Sequence, residues 1–182
     1  MVIILNFKNM KKKLLIVLII SLFYANYSFS QNSSTPKSTA KGVVECLKTQ
    51  NFDCLCSYIP TVLDMEAPVN NSTLEKDRKE RYLKKWERAE KHRLEMKIKF
   101  FRILNGYDSN DDGDKILTNW ENAEIIDVKY LIEEENPFPY ADKIYIVILC
   151  NNLKYGLTLD DCIKCERGWL PLDNPRFHLI KE

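Results

Sequence analysis

Histidine and glycine are scarce in this chain of 182 residues, with two of the first and five of the second. The patterns that put those residues to catalytic use are missing. There is no Gly-x-Ser-x-Gly elbow, no phosphate-cradling glycine loop and no His-Glu-x-x-His helix, which removes the motif-bearing hydrolases, nucleotide-binding enzymes and zinc proteases from consideration. A basic excess is missing too: 27 Lys and Arg stand against 26 Asp and Glu, so no electropositive field argues for a nucleic-acid partner. The longest apolar run, Leu14–Phe23, has ten residues, about half of the roughly 20 that span a bilayer. A permanent membrane span is therefore not expected.

That run does have the form of an export signal. Lys11, Lys12 and Lys13 precede it, and Ser28-Phe29-Ser30 places small residues at −3 and −1 of a cut before Gln31. Residues 1–30 read as a signal peptide, so a secreted or periplasmic location is expected. They contain four lysines and no acid, leaving 23 basic and 26 acidic side chains, net −3, in the other 152 residues. The whole chain is 45% apolar and 11% aromatic, hydrocarbon enough for one core, and the size of the mature part fits one domain. Residues 31–37 (QNSSTPK) are small and polar and read as a disordered leader; 38–182 read as a single domain.

All six cysteines, Cys46, Cys54, Cys56, Cys150, Cys162 and Cys165, fall in the mature part. In an oxidising compartment an even count favours disulfides, and six permit 15 pairings that sequence does not rank. Cys54-x-Cys56 and Cys162-x-x-Cys165 are the metal alternative, four thiolates for one zinc.

The hydrophobic period divides the mature chain. Val43, Val44 and Leu47 share a helical face, and a short second helix begins after Asn51 and ends at Pro60. Residues 61–71 read as a loop. Ser72-Thr73-Leu74-Glu75 has the form of a capping box opening a long charged helix to about His92, with Tyr82, Leu83, Trp86 and Ala89 as its apolar stripe and His92 as a favourable cation at its C-terminal end. From Leu94 the period changes to two: Leu94, Met96, Ile98 and Phe100 alternate with charged residues and predict a strand. Asn105-Gly106 reads as a turn. Further strands are expected at 123–133, at 144–150 where every residue is apolar, after the Asn151-Asn152 turn, and around Trp169–Leu172. The expected fold class is α+β, three N-terminal helices packed on a curved antiparallel sheet of about five strands.

The stretch Leu159-Asp160-Asp161-Cys162-Ile163-Lys164, followed by Gly168-Trp169-Leu170, resembles the closing hairpin of the cystatin-like cone fold of the nuclear-transport-factor-two-like and ketosteroid-isomerase-like superfamily. Gly42–Tyr58 is similar to the way small exported bacterial members of that group open. The resemblance implies a concave sheet with a cavity between it and the helices. In the isomerase-like members that cavity carries a carboxylate base and donors for the enolate.

Strand parity places Ile126, Val128 and Tyr130 from one strand, and Tyr155 and Leu157 from another, on that wall, with Trp86 of the long helix facing them. None of these is Asp, Glu or His. The expectation is an apolar pocket in an exported, non-catalytic protein that binds an apolar small molecule or another envelope protein, with no cofactor. The enzyme alternative, a small isomerase or dehydratase, requires a register in which Asp127 turns inward to act as base with Tyr130 as donor. A third alternative is a disulfide-stapled structural accessory protein. Asp108, Asn110 and Asp112, with Gly113 behind them, also match the opening positions of a calcium loop, although Lys115 and Asn119 stand where its later positions need other residues.

Overall fold

The structure, a computed structural model, describes residues 35–109, 113–117, 119–133 and 138–181. The signal-peptide reading, residues 31–34 of the leader, and Asn110 and Asp112 of the calcium reading lie outside the described residues; residues 35–37, expected as disordered leader, instead cap and open a helix. Among the described residues no helix is long and apolar enough to cross a membrane.

Among the described residues five helices precede five strands. Helix α1 (Pro36–Lys48) opens on a capping box in which Thr35 and Ser38 satisfy each other's backbone N–H groups, with Pro36 at the first position. Helix α2 (Phe52–Cys56) starts at Asn51, whose side chain accepts from the Cys54 N–H at 2.9 Å. A disulfide between Cys46 and Cys54, Cα atoms 5.6 Å apart, ties α2 back to α1.

Three of the expected elements differ. Residues 61–71 are a helix, α3 (Val62–Asn71), despite Pro68 inside it; Asp64 accepts from the Thr61 N–H at 2.7 Å and starts the turn. The Ser72 box does not form, because the Ser72 hydroxyl donates back to the Val69 carbonyl and the next helix, α4 (Lys76–Glu87), begins at Glu75. The predicted strand at 94–100 belongs to helix α5 (Glu90–Leu104). The chain from Lys76 to Leu104 has no Gly or Pro and is rich in Glu, Lys, Arg and Leu, all good helix formers. Met96, Phe100, Ile103 and Leu104, spaced i, i+4, i+7, i+8, are the buried set, while Leu94, Ile98 and Phe101 are more than half exposed. The apparent alternation therefore combined a buried stripe with an exposed one. His92 accordingly sits in the first turn of α5, where the dipole gives a cation no benefit; its Nε2 lies 2.7 Å from the Leu172 carbonyl oxygen.

The sheet is antiparallel and open, in the order β1 (Glu124–Glu133), β2 (Tyr140–Cys150), β3 (Leu153–Cys165), β4 (Gly168–Pro171), with β5 (Arg176–Leu179) also pairing β3. Strand β2, all apolar from Ile144 to Cys150, is interior to the sheet as that composition requires, with Ile144, Ile146 and Ile148 fully buried. Asn151 and Asn152 turn the chain with φ 51° and 63°, the left-handed pair that a two-residue hairpin needs. Long β3 is shared on its second edge: β5 pairs residues 155–158 and β4 pairs 162–165.

The main core lies between the helices and the face carrying Ile144, Ile146 and Ile148. Val43 and Leu47 of α1, Leu55 of α2, and Phe100 and Ile103 of α5 pack there with Trp120, Tyr155, Leu157 and Phe177. Trp120 fills the centre, and its indole N–H donates to the Ile103 and Leu104 carbonyls at 3.1 Å, closing the end of α5. A second, smaller cluster joins α3 and α4 to β3 through Met65, Val69, Trp86 and Ile163.

Candidate functional site

Of the residues expected to line an apolar pocket, Val128, Tyr155 and Leu157 share the main core, while Trp86, Ile126 and Tyr130 lie apart from it. Trp86 belongs to the second cluster, with Met65, Val69 and Ile163. Tyr155 and Leu157 are packed into the main core, where the Tyr155 ring stacks on Phe177 at 5.4 Å and its hydroxyl donates to the Ile116 carbonyl at 3.1 Å. Burial raises the Tyr155 phenol, and the nearby Cys150 adds to the shift. The inner face at its centre is thus filled by large side chains.

Strand β1 departs from the expectation in an instructive way. A register shift beside Ile126 sets Ile125, not Ile126, opposite buried Ile148, so that Ile125 and Val128 pack on the core and Ile126 is 48% exposed. From Asp127 onward the expected parity holds, with Val128 opposite Ile146 and Tyr130 opposite Ile144. Tyr130 and Ile132 nonetheless remain 40% and 39% exposed, as does Leu131 at 72%. The face is right, but no helix covers this half of the strand. Asp127, opposite Val147, points to the other side of the sheet from Tyr130, half exposed and 3.4 Å from Lys129 Nζ. The acid and the phenol of the enzyme alternative therefore do not share a side.

The thiols sort just as clearly. Cys46 and Cys54 are bonded, and Cys56, Cys150, Cys162 and Cys165 are free, which removes the four-thiolate zinc reading. Burial pushes up the pKa of all four free thiols. Cys162 is affected most, its burial reinforced by Asp160 and Asp161. A reactive cysteine needs the opposite shift. Among the described residues no three His, Cys, Asp or Glu converge to hold a metal ion. In the calcium reading only Asp108 is described. Its N–H donates to the Asp114 carbonyl at 3.1 Å, next to a β-bridge between Tyr107 and Lys115.

A feature that the sequence reading missed is a polar cleft of about 530 Å³, lined by Asp142, Asp160, Asp161, Asp173, Arg176 and Lys99 among others. Its residues come from β2, β3, the β4–β5 connection and α5, far apart in sequence. The adjacent Asp160-Asp161 pair, which interrupts the alternation of β3 after Leu159, was the signal in the sequence. Much of the charge is already matched. Arg176 grips Asp160 with Nε and Nη2 at 2.8 and 2.7 Å, and the Tyr140 hydroxyl donates to Asp161. Burial, with that hydrogen bond, holds the Tyr140 phenol well above its ordinary pKa; it is a donor and not a base.

The second missed constellation is Asp64 with Arg167. Arg167 donates to both Asp64 oxygens, at 2.6 and 2.5 Å, and to the Ser57 and Ile59 carbonyls. It binds the turn after α2 and the start of α3 to the β3–β4 hairpin, a structural tie.

The remaining exposed surface of unusual character is the edge of the sheet. At one side β4 and β5 are four residues each, the short edges that discourage further pairing. At the other side β1 runs for ten residues, pairs among the described residues with β2 alone, and shows Ile126, Tyr130, Leu131 and Ile132 to solvent. No protein-family model, no curated protein and no solved structure matches this chain, so its own surfaces carry the functional reading.

Proposed function

We propose that this is an exported, non-catalytic binding protein that works by polypeptide contact at its surface. The observation that carries the reading is a contrast in where the hydrocarbon lies. Phe100, Trp120, Tyr155 and Phe177, each 0–1% exposed, occupy the interior where a ligand would sit, while β1 leaves four large apolar side chains in water. Isolated exposed apolar residues are ordinary, but a run of them on an edge strand is a feature of contact sites. Export rests on Lys11–Lys13, the Leu14–Phe23 run and the Ser28-Phe29-Ser30 cut. Kinship with the cone-fold superfamily rests on helices preceding an antiparallel sheet and on the Gly168-Trp169-Leu170 strand. The apolar-ligand version of the reading is weakened by the filled interior, and the isomerase version by Asp127 lying across the sheet from Tyr130.

The test is native mass spectrometry of the chain recovered after export. The expected spectrum shows polypeptide beginning at Gln31 with no retained small molecule. A stoichiometric apolar adduct, or an uncleaved N-terminus in the exporting cell, would contradict the corresponding part of the proposal.

A further inference from the structure

We infer that the occupant of the β1 edge is the β1 strand of a second copy of this chain, running antiparallel about a two-fold axis that passes at Val128. The inference rests on the contact reading above and adds the partner and its register.

A strand that pairs with itself about a two-fold axis must be complementary to its own reversal, since each contact occurs twice. Most sequences fail that test, and like charges set directly opposite each other oppose pairing. The β1 sequence, Glu124-Ile-Ile-Asp127-Val128-Lys129-Tyr-Leu-Ile-Glu133, passes it with the longest overlap when the centre is Val128. With Val128 opposite itself, Asp127 of each copy faces Lys129 of the other and Ile126 faces Tyr130. The two oppositely charged side chains already lie together on the same outer face, 3.4 Å apart within one copy, so the dimer would arrange two aspartates and two lysines in alternation.

Neighbouring axes fare worse. An axis at Asp127 or Lys129 places that charge against itself. An axis at Tyr130 sets Asp127 against Glu133. An axis at Leu131 matches Lys129 with Glu133 but leaves only 129–133 to overlap, against 124–132 for the Val128 axis.

The local backbone suits this centre. Register shifts relative to β2 fall between Ile125 and Asp127 and between Tyr130 and Ile132, so 127–130 is the regular stretch. Exposure suits it as well, because Ile126 and Tyr130, the apolar residues brought opposite one another, are 48% and 40% exposed in the single copy. Lysine on an edge ordinarily blocks pairing. Here each Lys129 meets an acid.

The experiment is sedimentation analysis of the exported chain from about 1 to 100 µM, for the natural sequence, Asp127→Lys, Lys129→Asp and the double exchange. Asp127 and Lys129 side chains are 48% and 71% exposed, so the four proteins should share one far-UV spectrum and one melting profile. The natural chain is expected to dimerise in that range. Each single exchange sets like charges opposite at two symmetric positions and should weaken the dimer at least about tenfold, and the double exchange should restore it to within about threefold.

A natural chain that stays monomeric throughout overturns the inference, as does a dimer indifferent to the single exchanges or one that the double exchange fails to restore. The contact reading fails by a separate sign, a retained apolar molecule in the native mass spectrum. A monomer carrying nothing removes only the second copy.

Discussion

Replacing Arg167 by Met should unfold the tie between the helices and the β3–β4 hairpin. The Asp64 side chain is 8% exposed and accepts four hydrogen bonds, from the Thr61 N–H and hydroxyl at 2.7 and 2.6 Å and from Arg167 Nε and Nη2 at 2.6 and 2.5 Å. Removing one partner of a buried pair costs about 3–5 kcal/mol, since the other charge is left desolvated. Arg167 is 41% exposed, and solvent screening on that side brings the expected loss to about 2–3 kcal/mol. The pH dependence separates the charge from the packing. Burial alone would raise the Asp64 carboxyl, but the bonds from Arg167 and Thr61 outweigh it and hold the group below its ordinary value. A depressed carboxylate stabilises the folded state above its unfolded pKa of about 4, and that contribution disappears as pH falls through the lower folded value. Urea unfolding of the natural chain and Arg167→Met at pH 7 and pH 3 should therefore give a large difference at the first and a smaller one at the second. A loss under about 0.5 kcal/mol at pH 7, or an equal loss at both, would refute this account.

Other expectations follow from individual contacts. Thiol titration of the unreduced chain should find four free groups in denaturant, with Cys150 and Cys162 unreactive in the native state because both are fully buried. Replacing Cys46 and Cys54 by Ala should lower stability by about 2–3 kcal/mol, the loop-closure value for a short bridge, measured by thermal or urea unfolding. Gly106→Ala should be the more damaging of two glycine substitutions: Gly106 has φ +77° and an added Cβ would lie 1.9 Å from the Leu117 carbonyl oxygen, whereas at Gly156 the Cβ would meet His178 at 2.4 Å, a ring able to move. Phe100→Ala should cost about 3–5 kcal/mol and Ile98→Gln less than about 0.5 kcal/mol, a contrast that a strand with both residues on one face would not show.

The strands were easier to read from sequence than the helices. Seven consecutive apolar residues, 144–150, followed by two asparagines that tolerate positive φ, determine the β2–β3 hairpin locally. The alternation of β1 was legible from Asp127 onward. Ile125 and Ile126 were not, because a bulge exchanges two chemically identical residues and leaves no mark in composition. Pro60 and Pro68 concealed α3. In α5 a run of alternating residues fitted two periods at once, and tertiary contact with the sheet decided between them. The pocket list failed for a related reason. Parity tells which face a side chain takes, but whether a helix covers it depends on where α1, α4 and α5 end. The disulfide partners became neighbours through the Thr49–Gln50 turn, where Gln50 takes φ 53°, a conformation that the sequence did not announce.

The most direct test of a filled interior is native mass spectrometry of the purified chain under conditions that preserve non-covalent ligands. The account predicts masses equal to one or two polypeptides and nothing more. A reproducible apolar species released on unfolding would contradict it.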